Sequence, residues 1–166
     1  MQRMGLLARM AVAEGRLAAF AEQPPPGLTD ADPKTGERWD AGQAWAHVAE
    51  FVPYWQREIE QVAAGSGPDP VPFGRTSDDP GRAEAIETGR HEPPTEQMAR
   101  LARALMILRT YLAGLSQAQW EARGLFVRGN EMTVADIVDR FIVSHLEEHA
   151  DQLEKLAADS VSPEPS

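Results

Sequence analysis

The stretch that determines the fold class is PTEQMARLARALMILRTYLAGL, residues 94–115. Its apolar residues recur at steps of three and four, which places them along one face of an α-helix and is typical of a helix-bundle seam. That face consists of Met98, Leu101, Leu105, Leu108, Leu112 and Leu115. Pro93 and Pro94 come just before it, and proline is favoured in the first turn of a helix. The stretch therefore predicts a long helix that packs against other helices.

Three further segments, residues 1–20, 40–64 and 133–156, show the same helical periodicity. The last of them begins with a helix-capping pattern, in which the Thr133 hydroxyl accepts a hydrogen bond from the backbone of Asp136. Alternating β-branched runs, which are typical of strands, are almost absent from the chain. We therefore predict an all-α protein in which four helices of roughly 20 to 25 residues form a four-helix bundle.

The connections between the predicted helices are rich in proline. All prolines except Pro53 lie in residues 23–38, 65–94 or 159–166, and proline removes a helical hydrogen-bond donor. The 65–94 connection is long enough to run the length of the bundle, so it allows a long crossover and a parallel helix pair. We expect a single domain over residues 1–158 and a disordered tail at 159–166.

The composition excludes several classes of function. Sixteen Lys and Arg against 26 Asp and Glu give a net charge of −10, which disfavours binding to nucleic acid or to anionic lipid. The chain has no cysteine, so disulfides, thiolate nucleophiles and cysteine-ligated metals are excluded. No apolar run is long enough to span a membrane. We expect a cytoplasmic protein whose chemistry comes from histidine, carboxylates, hydroxyls or a bound group.

Three of the four histidines are predicted to meet. His145 and His149 are four residues apart on the apolar face of the 133–156 segment, so their imidazoles can reach the same point. His47 lies inside the 40–64 segment and is the candidate from a facing helix. Buried imidazoles are costly unless their nitrogens are bonded, and a shared divalent cation bonds one nitrogen of each. Three ligands leave open positions, as in catalytic sites, for zinc first and nickel or iron(II) as alternatives.

Other interpretations of these histidines stay open. Histidines four apart are common on helices and can be core residues of a purely structural bundle that binds no metal. The sequence from His145 to His149 also matches HxxEH, in which the glutamate would be the general base of a metalloprotease. That motif requires a ligand well downstream, and only 17 residues follow His149, so we disfavour it. His91 lies in a polar, proline-containing connection and is expected to be solvated.

Four further side chains are candidates for the site. Tyr54 and Glu148 are candidate catalytic residues, since Tyr54 follows His47 on the same helix face and Glu148 borders the face of His145. Glu58 and Gln152 are candidate cofactor-binding residues. The alternatives are a core tyrosine, solvated glutamates and a glutamine bonded to the backbone.

Three sequence patterns resemble one known family. They are AWAHVAE at residues 44–50 after Trp39, GNEMTVADIV at 129–138 and HLEEHADQL at 145–153. In this order and separation the chain resembles the DinB-like (YfiT-like) superfamily, and within it the metal-binding domain similar to the N-terminal part of mycothiol-dependent maleylpyruvate isomerase. The resemblance extends over most of residues 39–156.

The resemblance implies a DinB-like four-helix bundle with a long crossover, a divalent metal held by His47, His145 and His149, and often a homodimer. Activities in the family include mycothiol-dependent isomerisation, S-transfer to low-molecular-weight thiols and metal-dependent hydrolysis. A chain without cysteine suits an enzyme that takes its thiol from a small molecule such as mycothiol. The expected function is therefore metal-dependent thiol transfer, isomerisation or hydrolysis of a small molecule; the alternative is a noncatalytic metal-binding or stress-response module.

Overall fold

The structure is a computed structural model that describes residues 2–161 of the chain. Its helices are α1 (Gln2–Ala18), α2 (Ala41–Ala63), α3 (Pro80–Gly89), α4 (Pro94–Ala113), α5 (Gln117–Trp120), α6 (Val134–Val138) and α7 (Ser144–Val161). A π-helical turn, Asp139–Val143, joins α6 to α7, so that these three elements form one continuous helix. The predicted all-α four-helix bundle is confirmed, with α1, α2, α4 and the α6–α7 helix as its members.

The four long helices pack in an order that differs from simple up-and-down succession. Helix α1 contacts α4 and α7, and α2 contacts the same two helices, so consecutive helices α1 and α2 lie across the bundle from each other. Ion pairs advance together along α1 and the last helix, which shows that these two run parallel: Arg9 with Asp139 and Glu147, and Arg16 with Asp151 and Glu154.

Helices α2 and α4 form the second parallel pair. The residues of α2 meet those of the last helix in reverse order, as His47 with His149 and Trp55 with Phe141, so these helices are antiparallel. The α4 helix is antiparallel to α1, because Arg109 pairs with Glu14 while Arg3 bonds to Gln117 beyond the end of α4. The long crossover before α4 therefore permits a parallel pair, as its length predicted.

The core lies between the four long helices and is almost entirely apolar. Its largest fully buried side chains include Met10, Leu17, Trp45, Phe51, Ile59, Leu101, Leu105, Leu108, Leu112, Ile137, Ile142 and Leu146. All the leucines of the predicted α4 face belong to the core. Burying each such side chain contributes roughly 1.5–3 kcal/mol of transfer free energy, so this interior dominates the stability of the bundle. Among the residues that the structure describes, no helix combines the length and apolarity needed to cross a bilayer.

The 65–94 connection contains regular structure that the proline pattern did not predict. Strand β1 (Val71–Phe73) pairs in parallel with β2 (Arg123–Phe126), which pairs antiparallel with β3 (Glu131–Thr133). Three short strands thus form a small sheet at one end of the bundle, where the sequence indicated almost none. Strands of three or four residues are too short to show alternation, which is why the pattern missed them.

Helix α3 is the second unpredicted element of this connection. It begins at Pro80, with the Asp79 side chain accepting a hydrogen bond from the backbone of Arg82 at 2.8 Å. The end of α3 approaches the first turn of α2 so closely that a Cβ at Gly42 would lie 2.3 Å from the Arg90 carbonyl oxygen. The connection is therefore packed against α2.

The last helix extends beyond its predicted end. It continues to Val161, so the first residues of the predicted tail, 159–161, are helical. The rest of that predicted tail, residues 162–166, lies outside the described residues. At the other end of the helix, the predicted cap is present, since Thr133 Oγ1 accepts from the Asp136 backbone at 3.2 Å.

Candidate metal centre

The first turn of α2 fixes the position of His47. Asp40 caps the helix by accepting from the Gln43 backbone at 2.8 Å, and the Gln43 side chain accepts in return from the Asp40 backbone at 3.1 Å. This capping box satisfies two backbone donors at the helix end. His47 follows on the side that faces α7, with only 3% of its surface exposed. The helix start thus places one imidazole inside the bundle.

Helix α2 and the last helix meet through three facing aromatic layers. His47 lies against His149 with ring centroids 5.1 Å apart, Phe51 stacks on His145 at 4.6 Å, and Trp55 stacks on Phe141 at 4.1 Å. The layers repeat at every turn because residues four apart share a helix face. The histidines therefore form the end of a continuous aromatic interface.

The three imidazoles converge on one point. The Nε2 atoms of His47 and His145 are 3.2 Å apart, and one ligand atom from each of the three histidines lies within 4.8 Å of the others. Two nitrogens bound to a tetrahedral ion at about 2.0–2.1 Å would be about 3.3 Å apart. The spacing of the first pair is thus already that of two ligands of one metal ion.

The hydrogen bonds of the third histidine determine which of its nitrogens is free. His149 Nδ1 lies 2.7 Å from Gln152 Oε1, which can only accept, so Nδ1 donates and Nε2 carries the lone pair. His149 Nε2 is buried and has no hydrogen-bond partner among the described residues, and the same holds for His47 Nδ1. A buried nitrogen without a partner is costly. A metal ion would satisfy the lone pair of His149 without any change of fold.

The electrostatics of the site keep the imidazoles neutral. Burial, more than any other factor, lowers the pKa of His47 and of His145, and the neighbouring imidazoles lower both further. Burial also lowers the pKa of His149, to about 4, against the opposing effect of its hydrogen bond to Gln152. At neutral pH all three are therefore uncharged, which is the state in which imidazole binds metal.

Three other side chains surround the site. The Trp39 ring stacks on His149 at 6.1 Å between centroids and meets His47 edge-on at 5.2 Å. Glu50 Oε2 lies 3.8 Å from His47 Nδ1, and Arg75 holds the Glu50 carboxylate at 2.6 Å. His47 and His149 are buried and His145 is half-buried, so the cluster is closest to solvent at His145.

The residues present fit a divalent ion of the zinc, nickel or iron(II) type. Three neutral imidazoles are the preferred nitrogen donors of these ions, and the buried lone pair of His149 has no other partner among residues 2–161. Three protein ligands would leave at least one coordination position for a small molecule.

The sequence model of the DinB superfamily matches residues 9–153 of this chain. This match includes parts or all of each of the four long helices and all three histidines. The chain belongs to the DinB superfamily. No curated protein sequence matches it.

Solved structures that share this fold include a probable hydrolase and an isomerase. YfiT from Bacillus subtilis, described as a probable metal-dependent hydrolase with an unusual four-helix bundle topology, is 14% identical, with a TM-score of 0.74 over 95% of this chain and 86% of that chain. Mycothiol-dependent maleylpyruvate isomerase is 12% identical, with a TM-score of 0.69 over 95% of this chain and 67% of that chain. At these identities the likeness shows the fold alone.

The DinB bundle brings together some of the predicted site residues and not others. His47, His145, His149 and Gln152 are in direct contact. Glu148 is exposed on α7. His91 is exposed as predicted.

Tyr54 and Glu58 lie further along α2 and have other partners. The Tyr54 ring packs under the Arg75 guanidinium, 3.8 Å from centroid to Cζ, and burial raises the pKa of its phenol to about 12. Glu58 accepts a hydrogen bond from the backbone of Gly74, which has a φ of +93° and turns the chain after β1. Glu58 therefore anchors the turn from which Arg75 projects, and its contact to the histidine cluster is indirect.

Sequence reasoning missed the contribution of the 65–94 connection to the site. Arg75 follows β1, and Arg82 lies in the first turn of α3 with its Cζ 5.3 Å from the Trp39 ring centroid. No motif marks these arginines. The only available signal was that an unusually long connection is often functional.

Proposed function

We propose that this DinB superfamily chain binds one divalent metal ion through His47, His145 and His149 and is a metal-dependent enzyme acting on small molecules. The observation that carries the proposal is the buried lone pair of His149 Nε2, which has no partner among the described residues and faces the other two imidazoles. The expected ion is zinc, with nickel and iron(II) as alternatives, since all three accept imidazole ligands.

The bound ion would supply Lewis acidity, which lowers the pKa of a coordinated thiol or water at neutral pH. The chain's own residues prepare the site for it. Gln152 holds His149 in the tautomer that presents Nε2, and burial keeps His47 and His149 unprotonated. The half-buried His145 side is where a small molecule enters.

The nucleophile that we favour is the thiol of a small molecule such as mycothiol, with water as the alternative. The chain contains no cysteine, so any thiol must come from outside. One structural neighbour is described as mycothiol-dependent and another as a probable metal-dependent hydrolase, which supports keeping both reactions.

Metal analysis of protein purified without an affinity tag tests the site. We expect about one ion per chain in the wild type, and loss of at least 90% of it in His145→Ala and His149→Ala. His91→Ala is the matched control, because this histidine is exposed and outside the cluster, and it should retain the ion. Stoichiometric metal in both cluster variants would contradict the assignment.

A second assay separates the two reactions. Metal-loaded protein is incubated with a panel of electrophiles and hydrolysable esters, with and without mycothiol. Turnover that requires the thiol, and that His149→Ala abolishes, supports transfer or isomerisation. Thiol-independent turnover supports hydrolysis, and no turnover on either panel would favour a noncatalytic metal-binding role.

A further inference from the structure

A half-buried arginine lies beside the histidine cluster. Arg82 is in the first turn of α3, and its guanidinium stands over the Trp39 ring at 5.3 Å from the centroid. The same ring contacts His149 and His47. Arg82 and the candidate metal ligands are thus joined by one shared aromatic side chain.

The guanidinium of Arg82 is only partly used by the protein. Its Nη1 donates to the Ser77 carbonyl oxygen at 2.9 Å. Within residues 2–161, neither its Nε nor its Nη2 has a hydrogen-bond partner, and no carboxylate lies within ion-pair distance. The Nε–Nη2 edge of arginine is a planar fork that fits a carboxylate with two parallel hydrogen bonds.

In the same connection, Arg75 is an arginine whose charge is compensated by neighbouring carboxylates. It contacts the Glu50 carboxylate at 2.6 Å and Asp79 at 3.5 Å, and it stacks on Tyr54. Those contacts compensate its charge and use its Nη2 donor. Arg82 has no such compensation, although the chain as a whole carries ten excess negative charges.

The charge of the site strengthens this contrast. Three neutral imidazoles would leave the full double charge of a metal ion uncompensated by ligands, and Arg82 adds one more positive charge nearby. An anionic ligand is the species that such a site favours.

We propose that the free Nε–Nη2 edge of Arg82 binds the carboxylate of a small molecule at the metal site, which makes Arg82 a specificity-determining residue for carboxylate-bearing substrates. This inference rests on the proposed function, since it takes the histidine cluster as the metal site. The carboxylate can belong to the thiol that occupies the open metal position or to the second substrate beside it.

Cobalt(II)-loaded protein tests the inference without an activity assay, because ligand binding changes the visible absorption of the ion. Wild-type protein is titrated with 3-mercaptopropionate, which carries a carboxylate, and with 2-mercaptoethanol, which does not. In a second arm, propionate is added to protein already saturated with 2-mercaptoethanol, and its binding is measured by calorimetry. The first arm reports a carboxylate on the thiol and the second a carboxylate on another molecule.

In at least one of the two arms, we expect the wild-type protein to bind the carboxylate-bearing probe about tenfold more tightly than the Arg82→Gln variant does, or more tightly still. Arg82→Lys should recover only part of the preference, since lysine lacks the fork. Arg103→Gln is the matched control, because Arg103 is exposed on α4, and it should bind both probes as the wild type does. Circular dichroism and cobalt stoichiometry verify that each variant folds and keeps the ion.

The possible failures are distinguishable. Wild-type protein that takes up no cobalt would overturn the metal site and this inference with it. Wild-type protein that binds cobalt but shows neither a preference for 3-mercaptopropionate nor binding of propionate would overturn the role of Arg82 alone. The same conclusion follows if Arg82→Gln keeps the wild-type preference in both arms.

Discussion

The last helix has two faces that are built in opposite ways. Toward α1 it presents Asp139, Glu147, Asp151 and Glu154, which pair with two arginines at the surface. Toward α2 it presents Phe141, His145 and His149, which are packed into aromatic layers. Both faces join the same helix to the bundle, yet one is solvent-exposed and charged, whereas the other is buried and uncharged.

The two faces of the last helix therefore serve different roles in the fold. Exposed ion pairs contribute little to stability, typically between 0 and 1 kcal/mol each, but they favour one register between parallel helices. Buried rings contribute several kcal/mol each and leave little room for water. The face that supplies stability is also the one that carries the candidate metal ligands, so changes there should affect folding and metal binding together.

As the pH falls, the packing of the last helix against α2 should be destabilised before its ion pairs with α1. The pKa of His149 is lowered to about 4 in the folded protein, against about 6.5 when unfolded, so the unfolded state binds the extra proton. Metal-free protein should therefore lose roughly 2 kcal/mol of unfolding free energy from His149 alone between pH 7 and pH 5. The lowered pKa values of His47 and His145 act in the same direction. Urea unfolding across this range, with a chelator present, measures the loss.

The α1 face provides the internal control for that experiment. Hydrogen bonds from Arg9 and Arg16 lower the pKa of Glu147 and Glu154 respectively. The contribution of these carboxylates is thus present above about pH 4.5 and is lost only below it. A pH dependence confined to values below 4.5, or one unchanged in His149→Phe, would contradict our assignment of the loss to the histidines.

Removal of a single buried ring from the same face should also have a large effect. Phe51 is fully buried and stacks on His145. Phe51→Ala is expected to cost about 3–5 kcal/mol of unfolding free energy, because it removes the ring and leaves a cavity. Phe51→Leu should cost clearly less. An alanine variant no less stable than the leucine variant in urea denaturation would show that the aromatic layers are not what holds α2 to the last helix.

Loss of the hydrogen bond behind His149 should weaken metal binding without unfolding the protein. Gln152 Oε1 accepts from His149 Nδ1 at 2.7 Å and thereby orients the ring. Gln152→Ala is expected to lower zinc affinity about 10- to 100-fold, as measured by competition with a chromophoric chelator. Gln152→Glu, which keeps an acceptor, should retain most of the affinity. Equal affinity in the alanine variant and the wild type would show that Gln152 does not support the ligand.

Removal of an arginine from the α1 face should have the smallest effect. Arg16→Ala breaks the contacts to Asp151 and Glu154, yet we expect it to cost less than about 1 kcal/mol, since these groups are exposed and screened. The difference in unfolding free energy between the wild type and Arg16→Ala should become smaller still in 1 M salt. A loss comparable to that of Phe51→Ala would mean that the two faces do not differ in the way described above.

The sequence was sufficient to predict what depends on local periodicity. The leucines of α4, the cap at Thr133 and the pairing of His145 with His149 on one face all follow from spacing of three or four residues. The position of His47 opposite that pair could also be predicted, because a buried histidine on an apolar face needs a partner. These features require only that each helix bury its apolar side.

What sequence reasoning missed depends on the path of the chain in space. Arg75, Arg82 and the strand before them lie in a connection whose composition indicates only a loop. Their place beside the histidines is set by distant contacts, such as the close approach of Gly42 to Arg90 and the bond from Gly74 to Glu58. No periodicity encodes such contacts.

The π-helical turn at Asp139–Val143 makes the histidine cluster sensitive to chain length. A π turn contains one more residue than an α turn, and each residue of an α-helix rotates the following side chains by about 100°. A chain shortened by one residue at this point would keep the cap at Thr133 and all three histidines while turning His145 and His149 away from His47. For related chains, the number of residues between the cap and the histidine pair is therefore as informative as the histidines themselves.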